Sequence, residues 1–420
     1  MFDGVKICFV SGGIPRNDVA SGALRVLEIM QAMKSFGVYI FYLSYGVNKY
    51  KYLVGRLLWI FFSFFSKEAK NYPYITSVFD LKFARFLGKD MPFSRKPLDI
   101  PKITEFLSRE SFDVLWITEV WTPENMNRML DLIRLARSAF SSKHGIKIVM
   151  DTTDFHAKSW NRKYNVSHKY EDLDMAKRFF ESEEKCYPEV DCVITVSPDE
   201  SRDIKNAIPN SADLYEIGNI NRICDISNLN SFMSRKHIVF LGACWNANVD
   251  AASYFIREIY PLIHEKNKDI ELHIVGSGWP KTLRSGMTEQ RGVKLIGYVK
   301  DLDLILGQYK MMVVPLTYGT GMKGKIGSAM AVGLPVVTTS IGAEGYPMTD
   351  GQEAIIADTP IAFAKACLDL YENETLWNKL SSCGYEMIKR TTSPEEGLKA
   401  VSAVLHRVLR YRELGNDRHD

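Results

Sequence analysis

The sequence lacks several features that would settle its class at once. Seven cysteines, Cys8, Cys186, Cys192, Cys224, Cys244, Cys367 and Cys383, are scattered along 420 residues with no CxxC spacing. That excludes a disulfide scaffold and reads as reduced thiols in a cytosolic protein, most of them packed in apolar runs. No HExxH or similar histidine spacing is present, so no metal site is legible. No GxGxxG follows the first apolar run, where SGGIPRN stands instead, which argues against a nicotinamide-dependent enzyme. The longest apolar stretch, Leu57 to Phe65, falls far short of the roughly 20 residues that a spanning helix needs. MFDGVKICFV has no basic region followed by a cleavable apolar segment, so no signal peptide is expected. Net charge is only +3, too little to argue for nucleic acid as a partner.

What remains is an ordinary globular composition. Apolar residues make up 46% and charged residues 25%, enough for a core that needs no staple. The basic excess is local. Residues 1–110 hold 16 Lys+Arg against 9 Asp+Glu, a net of +7, which leaves the remainder at −4 against the whole-chain +3. Within that basic part, the aromatic segment Tyr50–Lys70 carries Lys51, Arg56, Lys67 and Lys70 around LLWIFFSFF. Two readings stand: a peripheral contact with an anionic membrane surface, or a core helix with solvated ends.

Apolar runs alternate with helical patterns. VKICFV, VYIFYLSYG, FDVLWITE, IKIVMD, DCVITVS and DLYEIGN read as strands, separated by helices near Leu24–Met33, Met126–Phe140 and Tyr170–Cys186. Residues 221–235 are polar and aperiodic, a linker. The pattern restarts with HIVFLGA, a helix at Ala251–Glu265, ELHIVGSG, VKLIGYV, a helix near Asp301–Tyr309, MMVVPL, a further helix, PVVTTS and EAIIAD. The expected organisation is a first Rossmann-like domain over 1–220, a linker over 221–235 and a second over 236–393. A C-terminal helix over 394–420 packs back on the first. This is an α/β protein with two doubly wound parallel sheets.

Ligands of such sheets bind outside the carboxyl ends of the strands. The glycine-bearing segments Ser11-Gly12-Gly13, Gly276-Ser277-Gly278 and Gly319–Gly324 fall there. The most informative is PLTYGTGMKGKIGSAMAVGLPVVTTS (315–340). Gly319, Gly321 and Gly324 allow close approach of backbone to a ligand. Lys323 and Lys325, with free N–H groups where a helix through Ile326–Val332 begins, favour an anion such as a diphosphate. A tight strand-to-helix loop with solvated lysines is the alternative.

This segment resembles the donor-binding signature of the retaining group 1, or family four, glycosyltransferases of the GT-B fold, in which two Rossmann-like domains face each other across a cleft. FVSGGIPRNDVASGALRVLEIMQAM resembles their first loop and helix, and VMDTTDFH a central motif of the first domain. FLGACWNANVDAASYF, LHIVGSG, LIGYVKDL and TSIGAEGY resemble successive parts of the donor domain. The resemblance implies transfer of a sugar from a nucleotide diphosphate donor to a glycan or lipid-linked acceptor, without metal or other cofactor. It implies a cytoplasmic location, with contact at the inner face of the membrane, and a role in polysaccharide or glycoconjugate synthesis. It places Gly276, Tyr298 and Val299 beside the nucleobase. Lys323 and the amides of Gly319, Thr320, Gly321, Met322 and Lys325 fall on the diphosphate. Gly12, Gly13 and Gly22 fall against donor or acceptor.

Arg25, one turn after Gly22, either faces the cleft or is a solvated helix charge. Asp154 and His156 orient the acceptor or donor sugar, or Asp154 caps a helix. Glu344 meets donor sugar hydroxyls or is a surface carboxylate. The pairs Asp172/Asp174 and Asp301/Asp303 fall on helices and read as solvated.

Departures from the family pattern are equally informative. Many members have two glutamates eight residues apart where this chain has Thr320 and Ser328, and a serine lacks the bidentate reach of a carboxylate toward ribose. A basic pair usual near Gly242-Ala243-Cys244-Trp245-Asn246 is missing, as is a histidine at Thr153. These losses keep a second reading open: a non-catalytic partner of the same fold.

Overall fold

The computed structural model describes residues 2–13, 21–44, 93–95, 100–140, 145–226, 231–279 and 290–410, with Leu57, Ile60, Phe61, Ser63 and Phe64. Contacts divide the chain into two units. The first comprises Met1–Ala157, Leu173–Gly218 and Gly397–Asp420; the second comprises Lys158–Asp172 and Asn219–Glu396.

The first unit is built on seven parallel strands: β1 (Lys6–Ser11), β2 (Tyr39–Ser44), β3 (Phe93–Arg95), β4 (Val114–Thr118), β5 (Lys147–Asp151), β6 (Cys192–Thr195) and β7 (Asp213–Glu216). Their order is β3-β2-β1-β4-β5-β6-β7. The central strands are almost wholly apolar because helices cover both faces of a parallel sheet. Every residue of β4 is buried, as are Ile7 to Val10 of β1. Phe9 stacks on Trp116 across the β1–β4 pair, with ring centroids 5.5 Å apart. The order reverses between β1 and β4, and in such sheets ligands bind outside the carboxyl ends of the strands at the reversal.

The second unit repeats the plan with β8 (Lys236–Leu241), β9 (Leu272–Val275), β10 (Val293–Gly297), β11 (Tyr309–Val314), β12 (Val336–Thr338) and β13 (Ile355–Ile356). The order is β10-β9-β8-β11-β12-β13, all parallel, with the reversal between β8 and β11. β11 is fully buried along its length, and each of its valines and methionines contributes about 1.5–3 kcal/mol by leaving water. Helix starts carry side-chain caps: Thr359 accepts from Ala362 N–H and Asn373 from Leu376 N–H, the first with proline at the opening position.

Several expected helices have different bounds. The one read at Ala251–Glu265 begins at Asn246 and runs through a wide π turn, Phe255–Ile259, into Tyr260–Lys266. The one read to Tyr309 is Leu302–Leu306, because Tyr309 already opens β11. The helix after the glycine-lysine loop is Gly324–Met330. Helix His156–Ser167, with Ala157 its one buried residue among those described, has no apolar stripe for sequence periodicity to reveal. The seven cysteines are free. Among the described residues, no helix is long and apolar enough to cross a membrane.

Candidate functional site

In the second unit, the loops after β8, β9, β10 and β11 gather at the carboxyl ends of the strands. Gly276 ends β9 with φ 143°, and a Cβ there would lie 2.0 Å from the Gly242 carbonyl oxygen. Only glycine lets these two loops touch. Gly276 N–H donates to Gly297 O at 2.8 Å, and Cys244 N–H to Ser277 O at 2.9 Å, tying three strand ends together. Tyr298 stands exposed beside them and Val299 packs on the core. Trp245, 67% exposed, is a second open aromatic just after β8, and nothing in its spacing marks it as a site residue.

The loop after β11 carries the charge. Gly321, at φ 69°, lets the chain turn back. Lys323 Nζ donates to the carbonyls of Thr320 at 2.9 Å and Gly321 at 2.6 Å, and so lies over its own loop. Lys325 Nζ donates to Asn248 Oδ1 at 2.5 Å and sits 4.9 Å from the Phe240 ring centre. Burial, reinforced by the charge of Lys323, pushes its pKa down to about 7. Asn219 holds the Met322 carbonyl at 3.2 Å. Thr320 is buried, and the half-buried Ser328 turns its hydroxyl back onto Gly324 O at 3.1 Å within its own helix.

Glu344, at the end of the short helix Ser340–Ala343, is bound on both oxygens. Arg162 reaches Oε2 at 2.6 Å and Oε1 at 3.0 Å, and Lys158 reaches Oε1 at 2.9 Å. Burial raises its pKa, but the bonds from Arg162 and Lys158 together outweigh this and hold the carboxyl below its ordinary value. Arg162 also donates to Gly319 O at 2.7 Å. Neither cation was legible as a site residue, since both lie on the helix without an apolar stripe.

The first unit presents a different chemistry. Ser11 Oγ donates to Glu119 Oε2 at 2.5 Å and accepts from Gly13 N–H at 3.3 Å, while Tyr42 O–H donates to Gly13 O at 2.6 Å. The Gly12-Gly13 turn is thus held from both sides. Residues 14–20 of this loop lie outside the described residues. Glu119 adopts φ 54°, rare for a non-glycine residue, and burial lifts its carboxyl to about 7. Gly22 opens the first helix beside Thr153, whose Cγ2 would be 3.7 Å from a Cβ there. Arg25 is neither exposed nor solvated: it is 2% exposed, pairs with Asp151 at 2.7 Å and donates to Ile217 O at 2.9 Å. Asp151 in turn accepts from Trp116 Nε1 at 3.2 Å and Thr118 Oγ1 at 3.3 Å.

Thr153, Asp154 and His156 line a small cavity with Val120, Met126 and Tyr187. His156 stacks on Phe179 at 4.8 Å, and burial takes its pKa down to about 4, so the ring is neutral at neutral pH. The buried Glu183 accepts the backbone N–H groups of His156 and Ala157, at 2.9 and 3.2 Å, and anchors the start of their helix. Burial raises Glu183 to about 8 and Glu200, which accepts from Val196 N–H and Thr152 Oγ1, to about 7.

One group among the described residues has metal-ligand chemistry: His237, Glu271 and His273, whose ligand atoms lie within 4.8 Å of one another. They sit at the starts of β8 and β9, the opposite ends from the glycine loops. Lys294 holds the Glu271 carboxylate at 2.7 Å. Glu271 N–H donates to His237 Nδ1 at 3.3 Å, which leaves the proton of the neutral ring on the nitrogen a metal would need.

Two parallel doubly wound sheets with glycine loops at their strand ends define the GT-B class of fold. The solved structures agree. Sucrose-phosphate synthase from Thermosynechococcus elongatus aligns over 97% of this chain and 100% of its own, with TM-score 0.69 and 13% identity. Anabaena HepE, in complex with UDP and glucose, aligns over 96% and 99%, with TM-score 0.63 and 11% identity. The pneumococcal O-GlcNAc transferase GtfA, in complex with UDP and GlcNAc, aligns over 96% and 99%, with TM-score 0.64 and 11% identity. Identities this low establish the fold alone. Within it, residues 235–373 match the family described as "Glycosyl transferases group 1". A Klebsiella pneumoniae protein, an "Uncharacterized 44.6 kDa protein in cps region", is 28% identical over 145 residues. The match spans 33% of this chain and 37% of that relative.

Proposed function

We propose that this chain is a glycosyltransferase that moves a sugar from a nucleotide diphosphate donor to a glycan or lipid-linked glycan, with retention of configuration. The observation that carries the reading is the glycine loop after β11, with Lys323 bound on its carbonyls, at the strand-order reversal of a segment that matches the group 1 glycosyltransferases. Lys323 and the loop amides would offset the charge that grows on the departing phosphate. In a same-face transfer the bond from C1 to the phosphate oxygen breaks, the bond from C1 to the acceptor oxygen forms, and the acceptor proton passes to the leaving phosphate. No separate base is needed, which suits a first unit whose His156, its pKa taken down to about 4 by burial, is a weak base held against Phe179. Complexes of HepE and GtfA with UDP and a sugar, and the cps-region relative, support a nucleotide-sugar donor and a polysaccharide product.

The reaction in this reading needs no metal. Asp172 is engaged by Lys163 and Ser167, Asp301 caps its helix, and Asp303 meets Cys224. Neither Asp-x-Asp pair therefore presents two open carboxylates. A lipid-linked acceptor is supported by Leu57, Ile60, Phe61 and Phe64, which are helical, exposed and spaced as one apolar face. Apart from these and Ser63, Tyr50–Lys70 lies outside the described residues. Flotation with anionic vesicles tests this point: Phe61→Glu should reduce co-flotation, and unchanged co-flotation would remove it.

A non-catalytic role is favoured by one observation. Ser328 binds its own helix and leaves the ribose-facing position without a carboxylate. The deciding experiment is a screen of uridine, guanosine, adenosine and thymidine diphosphate sugars, without added metal, for thermal stabilisation and slow release of the nucleoside diphosphate. One stabilising donor with release is the expected result. Absence of binding by all four would count against the transferase reading and favour the non-catalytic one.

A further inference from the structure

Lys158 and Arg162 lie one turn apart on helix His156–Ser167 and belong to the second unit. Their side chains are 23% and 26% exposed, and both point at one carboxylate, Glu344. Lys323 lies on the same loop whose Gly319 carbonyl Arg162 holds at 2.7 Å. The guanidinium is also pre-set. Its Nη1 donates to Gly319 O and Glu344 Oε2 and its Nη2 to Glu344 Oε1. Of the five N–H donors of an arginine, Nε–H and one on Nη2 therefore have no protein partner among the described residues. A planar fork with spare donors matches a phosphate better than a sugar hydroxyl.

We propose that Arg162 and Lys158 form a second contact for the donor diphosphate beside Lys323, with Glu344 as the counter-ion that holds the pair in place. This rests on the donor-site reading of the second unit and gives it the basic pair that the strand-end segment Gly242–Asn246 lacks. It also changes the role of Glu344, whose oxygens are engaged by cations and not left open to sugar hydroxyls.

Calorimetric titration of the full chain with uridine, guanosine, adenosine and thymidine diphosphates, and with the matching nucleosides, tests the idea at two salt concentrations. Arg162→Gln should weaken the diphosphate that the wild type binds by about tenfold, the size of one charge-assisted contact. Lys158→Gln should weaken it less. Both should flatten the salt dependence and leave nucleoside binding unchanged, while Arg162→Lys recovers part of the loss. Equal diphosphate affinity and equal salt dependence in the glutamine variants would overturn the inference and leave the donor reading standing. So would an equal loss for diphosphate and nucleoside. If the wild type binds none of the four, the donor reading fails and the inference falls with it. Thermal melts of each variant confirm that the fold is retained before affinities are compared.

Discussion

The two units share a plan and differ in charge. At the strand ends of the first, four buried carboxylates, Glu119, Asp151, Glu183 and Glu200, are satisfied by hydroxyls, backbone N–H groups and one buried cation, Arg25. At the strand ends of the second, glycines bring backbone segments together, Lys158 and Arg162 pair with Glu344, and Lys323 and Lys325 lie on the loop after β11 against carbonyl and amide oxygens. The lesson is that a common sheet topology sets where a ligand sits and not what it is. The first unit's carboxylates are inward and structural. The second sets lysine and arginine side chains beside glycine-rich backbone, a pairing suited to an anion.

The largest break in this contrast should come from the first unit's ion pair. Asp151→Asn leaves Arg25 buried without a counter-ion and should cost about 3–5 kcal/mol of stability, read as a drop in denaturation midpoint. Nucleoside diphosphate affinity of the folded fraction should stay within about twofold, since sites without shared partners act independently. Next is Lys323→Ala, which should lower diphosphate affinity about 100-fold through loss of a charged contact, with little change in melting temperature. Unchanged affinity would refute the phosphate assignment.

Ser328→Glu should sharpen the contrast by restoring a ribose-facing carboxylate, and nucleotide binding should tighten by about 1–3 kcal/mol. A clear weakening in calorimetry would mean that position 328 does not face the ribose. The smallest effect is in pH dependence. Lys325 has its pKa lowered to about 7 by burial, and a bound anion would raise it again. Its contribution to affinity is therefore full below pH 7 and is lost as pH rises through 7 toward the value in the complex. Wild-type affinity should fall between pH 6 and 8 relative to Lys325→Arg, and parallel profiles would exclude the lysine as a contact.

Most strands were legible because parallel strands covered on both faces read as unbroken apolar runs, as VITV and MMVV do. The glycine loops were legible because their glycines answer to steric needs, such as the contact of Gly276 with the Gly242 carbonyl. Side-chain partnerships distant in sequence were not. Arg25 could not be placed from one helix, since its partner Asp151 lies on a different strand 126 residues on. Glu119 carries no motif, and its mark is a positive φ that only the backbone reveals. Lys158 and Arg162 were missed because a helix with so little buried surface leaves no periodic signature to orient it. His237, Glu271 and His273 come together only through the β8–β9 register.

Whether the second unit's strand ends hold the nucleotide diphosphate is read by hydrogen–deuterium exchange of the full chain, with and without the nucleoside diphosphate selected by the donor screen. Exchange should slow over Gly276–Trp279 and Gly319–Ser328, with the strand ends at Ser11–Gly13 and Thr152–His156 unchanged by the nucleotide alone. Protection confined to the first unit's segments, with none over Gly319–Ser328, would contradict that placement.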